Sequence, residues 1–530
     1  MIAETTAPLW AIPGAYLAAA LLAAAWPTAR WRSLAIATRA VLVLALIGVI
    51  AALANPAPRS AGSVPVATAL VALLIAYLGW IIGDYARRYL DGEPGQTRFV
   101  VAYLATLASV SLVVVTANLA VLIAAWSASS LALHQLLTFY PDRPAAIIVA
   151  HKKFLASRLA EACLVGAAVL LYRQWGTLDL GALAALARAA PVLPSSAAVA
   201  ATLIAIAVLL KCAQLPLHGW LIQVMEAPTP VSALLHAGVV NLGGYVLIRL
   251  APLIGAAPTA RALLVGVGGL TAVLAGLVML TRITVKVRLA WSTCSQMGFM
   301  VMECGLGLYD LALLHLIAHA AYKAYAFLCA GDTVRDSLAR RMSTDAVAGS
   351  AAPALAGPIL AWPIAWSVVF GSALLWHRAM GVPSIPAIAA ALLASGLATL
   401  LWPPAITAIP GFAVRLLALA GATQLYLLFH AFLSARLGMI ATTPVPAPLA
   451  DAVLAGFLLL YLAQATLVTR GRRALGRSAL AARLYSWVYA GFYLDERFTR
   501  WTFRLWPVRA DTPRSAGAAT RDFEPNGSGP

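Results

Sequence analysis

The sequence predicts an all-α polytopic membrane protein with about fifteen transmembrane helices, and three observations carry that expectation. Hydrophobic residues make up 62% of the chain and charged residues 11%, with a mean hydropathy of +0.87. That leaves too little polar surface to cover a soluble globule of 530 residues. Uninterrupted apolar stretches of about 20 residues, the length needed to cross a bilayer, recur along the whole chain. Basic residues gather in every second connecting segment, as the positive-inside rule asks of cytoplasmic loops.

In order, the apolar stretches centre near residues 18, 43, 75, 106, 126, 165, 207, 240, 270, 294, 320, 365, 392, 420 and 460. Arg30 and Arg32, then Arg87, Arg88 and Arg98, then Arg143 with Lys152 and Lys153, then Arg282, then Arg335, Arg340 and Arg341 fall in alternate loops. The opposite loops carry single arginines such as Arg59, Arg188 and Arg378. With an odd number of spans this places the N-terminus outside and the Arg470 to Arg521 tail, with its eleven arginines, inside. No cleavable leader is evident, so Met1 is expected to belong to the mature chain. The net charge of +18 thus has a topological explanation, and the expected partner is a lipid bilayer, with no nucleic acid.

No stretch reads as a soluble domain; the longest hydrophilic runs are Asp332 to Ser350 and the tail after Arg470. The chain divides into N-terminal transmembrane helices over 1–96, a central block over 97–345 and C-terminal transmembrane helices over 346–470. A basic segment follows over 471–508. From Arg483 to Val508 aromatic and aliphatic residues interleave with Arg497, Arg500 and Arg504, as in an interfacial amphipathic helix or a partner-docking segment. Residues 509–530 are dominated by Ser, Gly, Pro and Ala and are expected to be disordered.

Two interruptions stand out. The wholly uncharged Ala197 to Leu210 runs into Lys211-Cys-Ala-Gln-Leu-Pro216-Leu-His218. Pro216 has no amide hydrogen and its ring clashes with the carbonyl of Cys212, so the helix breaks within a turn of Lys211. Backbone freed at that depth must find polar partners or water, and broken helices mark ion sites in transporters. The second, Glu226-Ala-Pro228-Thr-Pro230, ends one segment and starts the next.

Only five of the 37 basic residues are lysines, and Lys211 and Lys323 lie inside long apolar runs. Arginine stays charged at any accessible pH, whereas a desolvated lysine can release and recover a proton. His315, His319 and Lys323 stand at i, i+4 and i+8, so they line one helix face over about 12 Å and form a candidate proton wire. The bland alternative is histidines hydrogen-bonded between packed helices. A metal is the other rival, since His-x3-His on a helix can bind zinc, but no third ligand is apparent and Lys323 adds repulsive charge. No metal site is therefore expected.

Lys211 could instead be a structural counter-ion to Glu226 or Glu161, with His218 and His236 as polar neighbours that favour a functional role. Arg158 and Glu161, at i and i+3, are expected to form an embedded ion pair. Glu303 ends the tenth span, where it is either the carboxylate through which ions pass or simply solvated. Lys286 and Arg288, and Lys152 with Lys153, sit near helix ends where snorkelling explains them.

Cys163, Cys212, Cys294, Cys304 and Cys329 show no metal-ligand spacing and read as small apolar fillers. There is no phosphate loop, dinucleotide fingerprint, or haem or iron–sulfur ligand set. No cofactor is expected on this chain, and any catalysis belongs to another subunit.

Three runs are recognisable. Lys211 to Arg249, KCAQLPLHGWLIQVMEAPTPVSALLHAGVVNLGGYVLIR, Arg288 to Met300, RLAWSTCSQMGFM, and His315 to Gly331, HLIAHAAYKAYAFLCAG, resemble the antiporter-like membrane subunits of complex I and of multisubunit cation/proton antiporters. The resemblance is strong over Val100 to Asp345. It implies an antiporter-like fold with inverted repeats and makes 97–345 the antiporter-like core. HGWLIQVMEAPTPVSALLHAGVVN beginning at His218, ALHQLLTFY (Ala132 to Tyr140) and FYLDERFTRWTFRLWP (Phe492 to Pro507) look more like the DabB family, the membrane subunits of the bacterial DAB inorganic carbon accumulation system.

That resemblance implies a multi-pass protein of the bacterial inner membrane that conducts protons or sodium ions. Its expected partner is a DabA-like cytoplasmic zinc subunit, similar to β-carbonic anhydrases, in which ion flow drives hydration of carbon dioxide to bicarbonate. The alternatives are an antiporter-like subunit of a respiratory NADH:quinone oxidoreductase or of a cation/proton antiporter, and a passive membrane anchor. Two departures from the complex I pattern matter. Ala125-Trp126-Ser127 stands where AWEG supplies a glutamate, and Gly357 to Trp376 contains no charge where a second lysine-bearing broken helix belongs.

Overall fold

The structure, a computed structural model, describes residues 7–54, 64–332, 335, 338, 356–402, 409–437, 446–470 and 479–507. Residues 509–530, Arg59, Arg340 and Arg341, on which some of the expectations rest, lie outside the described residues. Every named element is helical.

The helices run α1 (Ala7–Ala25), α2 (Arg30–Ala54), α3 (Val64–Tyr89), α4 (Gln96–Val115), α5 (Leu119–Leu137) and α6 (Pro144–Trp175). The short α7 (Leu180–Ala189) follows, then α8 (Ser195–Lys211), the single turn α9 (Gly219–Ile222), α10 (Thr229–Ala237), α11 (Leu242–Arg249) and α12 (Ala251–Gly255). The remainder comprises α13 (Pro258–Thr281), α14 (Val285–Leu306), α15 (Tyr309–Leu328), α16 (Ala356–Met380), α17 (Ala387–Leu397), α18 (Ile409–Leu437), α19 (Ala447–Arg470), α20 (Ala479–Tyr489) and α21 (Leu494–Leu505).

Among the described residues, twelve helical stretches are long and apolar enough to span a membrane. The expected count of fifteen is not reached on that measure. The centres near 207 and 392 fall in Ser195–Lys211 and Ala387–Leu401, which are too short. The centre near 294 falls in α14, whose 22 residues include Ser292, Thr293, Ser295, Gln296 and Glu303.

Local chemistry sets the helix ends. Asn118 caps α5 by accepting from the amides of Ala120 and Val121, and Asp179 caps α7 through the amide of Ala182. The backbones of Leu119 and Leu178, and of Leu180 and Ala117, bond across these two caps, clamping the start of α5 against the segment after α6. Prolines open α6 and α13, where a missing amide hydrogen costs nothing.

The main core takes buried apolar residues from each helix from α1 to α15. Gly268 and Gly298 let α13 and α14 touch backbone to backbone: a Cβ on Gly298 would stand 2.6 Å from the Gly268 carbonyl oxygen. As expected, α8 stops at Lys211, and Ala213 turns into the left-handed region with φ 53°. The freed backbone is satisfied at several points. Gln214 Nε2 donates to the Cys212 carbonyl, Cys294 Sγ to the Ala213 carbonyl, and the Leu215 amide to Thr271 Oγ1.

A further interruption was not expected. The span Thr229–Arg249 bends between α10 and α11 through a 3₁₀ turn at Val239–Asn241, and Asn241 Nδ2 donates to the Ala237 carbonyl there. Cys212 Sγ donates to the Val240 carbonyl, so the two interruptions are pinned together. By contrast α16 runs unbroken through Pro363.

Candidate ion pathway

The site consists of buried titratable side chains on α6, α8, α10, α14 and α15, arranged about the two interruptions. In the first cluster, Arg158 donates to Glu161 Oε1 at 2.8 Å, and Lys211 Nζ stands 3.2 Å from the same oxygen and 3.4 Å from the Trp126 carbonyl. The acid absent at Ser127 is thus supplied by α6. Lys211 chooses Glu161 over Glu226, because Glu226 lies outside the cluster: it pairs at 3.9 Å with Arg143, and both side chains are about half exposed, at 44% and 51%. Of the two carboxylates proposed as counter-ion to Lys211, the structure thus brings Glu161 and not Glu226 to it.

Lys152 and Lys153 also depart from expectation. Since α6 begins at Pro144, both lie two turns inside the helix and are buried rather than snorkelling. Lys153 Nζ bonds the Ser130 carbonyl and hydroxyl at 3.0 and 3.1 Å, within electrostatic reach of Glu161 and Lys211. Lys152 Nζ meets Gln223 Oε1 at 3.0 Å and Asp495 Oδ1 at 2.8 Å. Nothing in the sequence pairs Asp495 with Lys152; the contact depends on how α21 folds back.

The second cluster centres on α15. Lys323 is fully buried and its Nζ donates to the Leu289 carbonyl at 3.0 Å. His236, stacked on Phe327 at 4.5 Å between ring centres, interacts with the Lys323 charge. His315 and His319 stand edge to face, 5.9 Å between centres, as their four-residue spacing requires. His315 Nδ1 lies 2.9 Å from Glu303 Oε2, and Glu303 is fully buried, so its reading as a solvated terminal carboxylate is overturned. Beyond it, Asp310 on α15 contacts His430 on α18, a pair for which the sequence carries no local signal.

Both ring nitrogens of His236 and of His319 are buried without a hydrogen-bond partner among the described residues, as are His315 Nε2 and Glu303 Oε1. Buried polar atoms ordinarily find partners, so this row is chemically unsaturated and suited to water or a passing proton.

His218 is buried at the start of α9, its Nδ1 3.3 Å from the Pro216 carbonyl. It interacts with Asp495 and Lys152. No hydrogen bond among the described residues joins it, or His236, to Lys211, so the expected direct neighbourhood does not form. Pro216 sits in the break after α8, while Pro228 and Pro230 mark the start of α10, as anticipated. Lys286, expected to snorkel, bonds Thr229 Oγ1 at 2.8 Å. Among the described residues no group of three or more His, Cys, Asp or Glu side chains is placed to hold a metal ion.

Residues 116–376 match the family model described as NADH:quinone oxidoreductase/Mrp antiporter, TM. A probable inorganic carbon transporter subunit DabB of Hydrogenovibrio crunogenus is 42% identical over 446 residues, 82% of each chain. The chain belongs to the DabB family. A probable subunit DabB2 of Halothiobacillus neapolitanus is 37% identical over 474 residues, 87% of this chain and 84% of that protein. Among solved structures, the Mrp complex from Dietzia sp. DQ12-45-1b matches with a TM-score of 0.57 and 23% identity, over 94% of this chain and 60% of that chain. An archaeal membrane-bound sulfane sulfur reductase matches with a TM-score of 0.55 and 17% identity, over 93% of this chain and 99% of that chain. These two likenesses show a shared antiporter-like membrane fold. Lys153, Glu161, Lys211, His236, Glu303, His315, His319 and Lys323 all lie within the residues matched by the family model.

Proposed function

We infer that this chain is the ion-translocating subunit of an energy-coupled inorganic carbon transporter of the bacterial inner membrane. Its N-terminus is periplasmic and its C-terminus cytoplasmic. The observation that carries the reading is the buried Glu161–Lys211 pair beside a broken helix, with a second row of unsaturated histidines and Lys323. A passive anchor has no use for lysines in its core, because each embedded charge is costly.

Of the two candidate ions, proton and sodium, the lysine, histidine and carboxylate side chains of the clusters favour a proton. Lys153, Glu161 and Lys211 form one relay and His236, Lys323, His319, His315 and Glu303 the other. Proton transfer to Glu161 dissolves its pairing with Lys211 and frees the amine to pass its own proton on. A charge falling through the membrane potential supplies about 2.3 kcal/mol per 100 mV, enough to bias a near-neutral hydration strongly. The hydration itself is assigned to a cytoplasmic zinc partner of the carbonic anhydrase kind, which the resemblance to the DAB system implies; the relatives' names support a subunit of an inorganic carbon transporter.

A Lys211→Met variant tests this. Assembly of the complex is expected to survive while growth on ambient air is lost and returns at high carbon dioxide. Growth of the variant in air would exclude coupling through Lys211, and co-purification with flavin and iron–sulfur subunits in place of a zinc protein would exclude the carbon role.

A further inference from the structure

The pathway has a closed end that neither relay explains. Lys152 is fully buried, yet its amine reaches a carboxylate from the far end of the chain. Lys152 Nζ, Gln223 and Asp495 close a triangle: Gln223 Nε2 donates to Asp495 Oδ2 at 2.7 Å, and the two contacts of Lys152 complete it. Within the triangle the lysine side chain is 0% exposed and the aspartate 22%, so Asp495 is the member that meets water.

Several independent features deliver that carboxylate. A Cβ on Gly219 would stand 1.5 Å from Asp495 Oδ1, so the first residue of α9 must lack a side chain for the acid to enter. Gly491, Phe492 and Tyr493 all have positive φ, at 63°, 58° and 56°, immediately before α21. Left-handed conformations at two bulky residues are costly and persist where surrounding contacts impose them. Those contacts are present on both sides. Arg282 donates to the Tyr489 carbonyl at 2.7 Å, and Trp506 stacks on His151 at 3.8 Å between ring centres. The strap is thus fastened before and after Asp495.

We propose that Asp495 is the carboxylate through which protons pass between the buried pathway and the aqueous side that faces the partner subunit. The inference rests on the conducting role assigned above. The Lys152 ammonium gives a proton to Asp495, leaving a neutral amine and a carboxylic acid; the acid then releases the proton to water and the amine is reprotonated from the buried pathway. Transfer in the opposite direction uses the same groups in reverse. The C-terminal strap therefore belongs to the ion pathway as well as to the surface.

The test uses the whole chain in its assembled complex, reconstituted in vesicles with an internal pH-sensitive dye under an imposed membrane potential. Asp495→Asn keeps the shape of the side chain and one of its two accepting oxygens but cannot take up the proton, and its flux is expected to fall at least tenfold with assembly unchanged. Gly219→Ala, which displaces the carboxylate, is expected to do the same. The double variant Lys152→Met with Asp495→Asn separates relay from counter-ion, since it removes the charge pair together. Flux that stays low in the double variant supports the proposal, and flux at the wild-type level overturns it. Wild-type flux in Asp495→Asn, where Lys211→Met abolishes it, overturns the proposal and leaves the conducting role intact. Wild-type flux in Lys211→Met overturns the conducting role and this inference together.

Discussion

The middle of the molecule and its C-terminal helices are built from similar apolar residues to opposite ends. Within the most apolar stretch of Thr229–Arg249, 89% of the residues are buried, against 22% in Gly357–Met380 and 17% in Ala447–Leu467. The middle hides lysines, acids and histidines; Gly357–Met380 carries no charge until Arg378. The C-terminal helices satisfy their polar groups in pairs, such as Trp402 Nε1 with Tyr461 Oη and Trp376 Nε1 with Gln424 Oε1. In the middle, histidine nitrogens are left open among the described residues. Under the proposed function, saturated pairing makes a wall, and incomplete pairing around broken helices makes a route.

The contrast can be broken most forcefully at Glu161. Glu161→Ala strands the Lys211 ammonium in the core and is expected to cost about 3–5 kcal/mol in unfolding of the solubilised protein. Adding Lys211→Met should restore most of that stability and none of the ion flux. Lys323 behaves differently, because its amine bonds a carbonyl that Thr293 Oγ1 also serves. Lys323→Met is expected to shift stability by no more than about 1.5 kcal/mol while flux falls tenfold or more.

His319→Leu removes two unpartnered nitrogens. It is expected to leave stability unchanged or raise it by about 1 kcal/mol, with slower flux in the vesicle assay. In the wall, Gln424→Leu strips one partner from Trp376 and should cost about 0.5–1 kcal/mol without any change in flux. The smallest effect belongs to Glu226→Gln, whose exposed pairing with Arg143 is worth less than about 1 kcal/mol. A large loss of flux in Glu226→Gln would return that residue to the pathway and blur the line drawn here.

Several of these residues are legible in the sequence alone. Lys211 stands out because a charge in an apolar run beside Pro216 breaks a local pattern, and the end of α8 at Lys211 follows from proline chemistry within one turn. His315, His319 and Lys323 share a face because helical periodicity requires it. The partner of Lys211 is not legible in the same way: Glu161 and Glu226 are equal candidates until the rotation of α6 against α8 chooses one. Lys152 and Lys153 differ from expectation for a related reason. Their distance from the bilayer edge depends on where α6 starts, and Pro144 starts it two turns before them, inside what their charges alone suggest is a loop.

Composition, apolar spacing and the prolines therefore determined a helical membrane protein, the position of its main break and which helix faces carry ionisable groups, since those effects act within a turn or a span of neighbouring residues. The pairing of Glu161 with Lys211, 50 residues apart, and of Asp495 with Lys152, 343 residues apart, belonged to the tertiary structure alone. A charged side chain at that depth needs its partner within about 4 Å, and only the rotation and depth of helices packed against one another decide which group from a distant part of the chain comes that close.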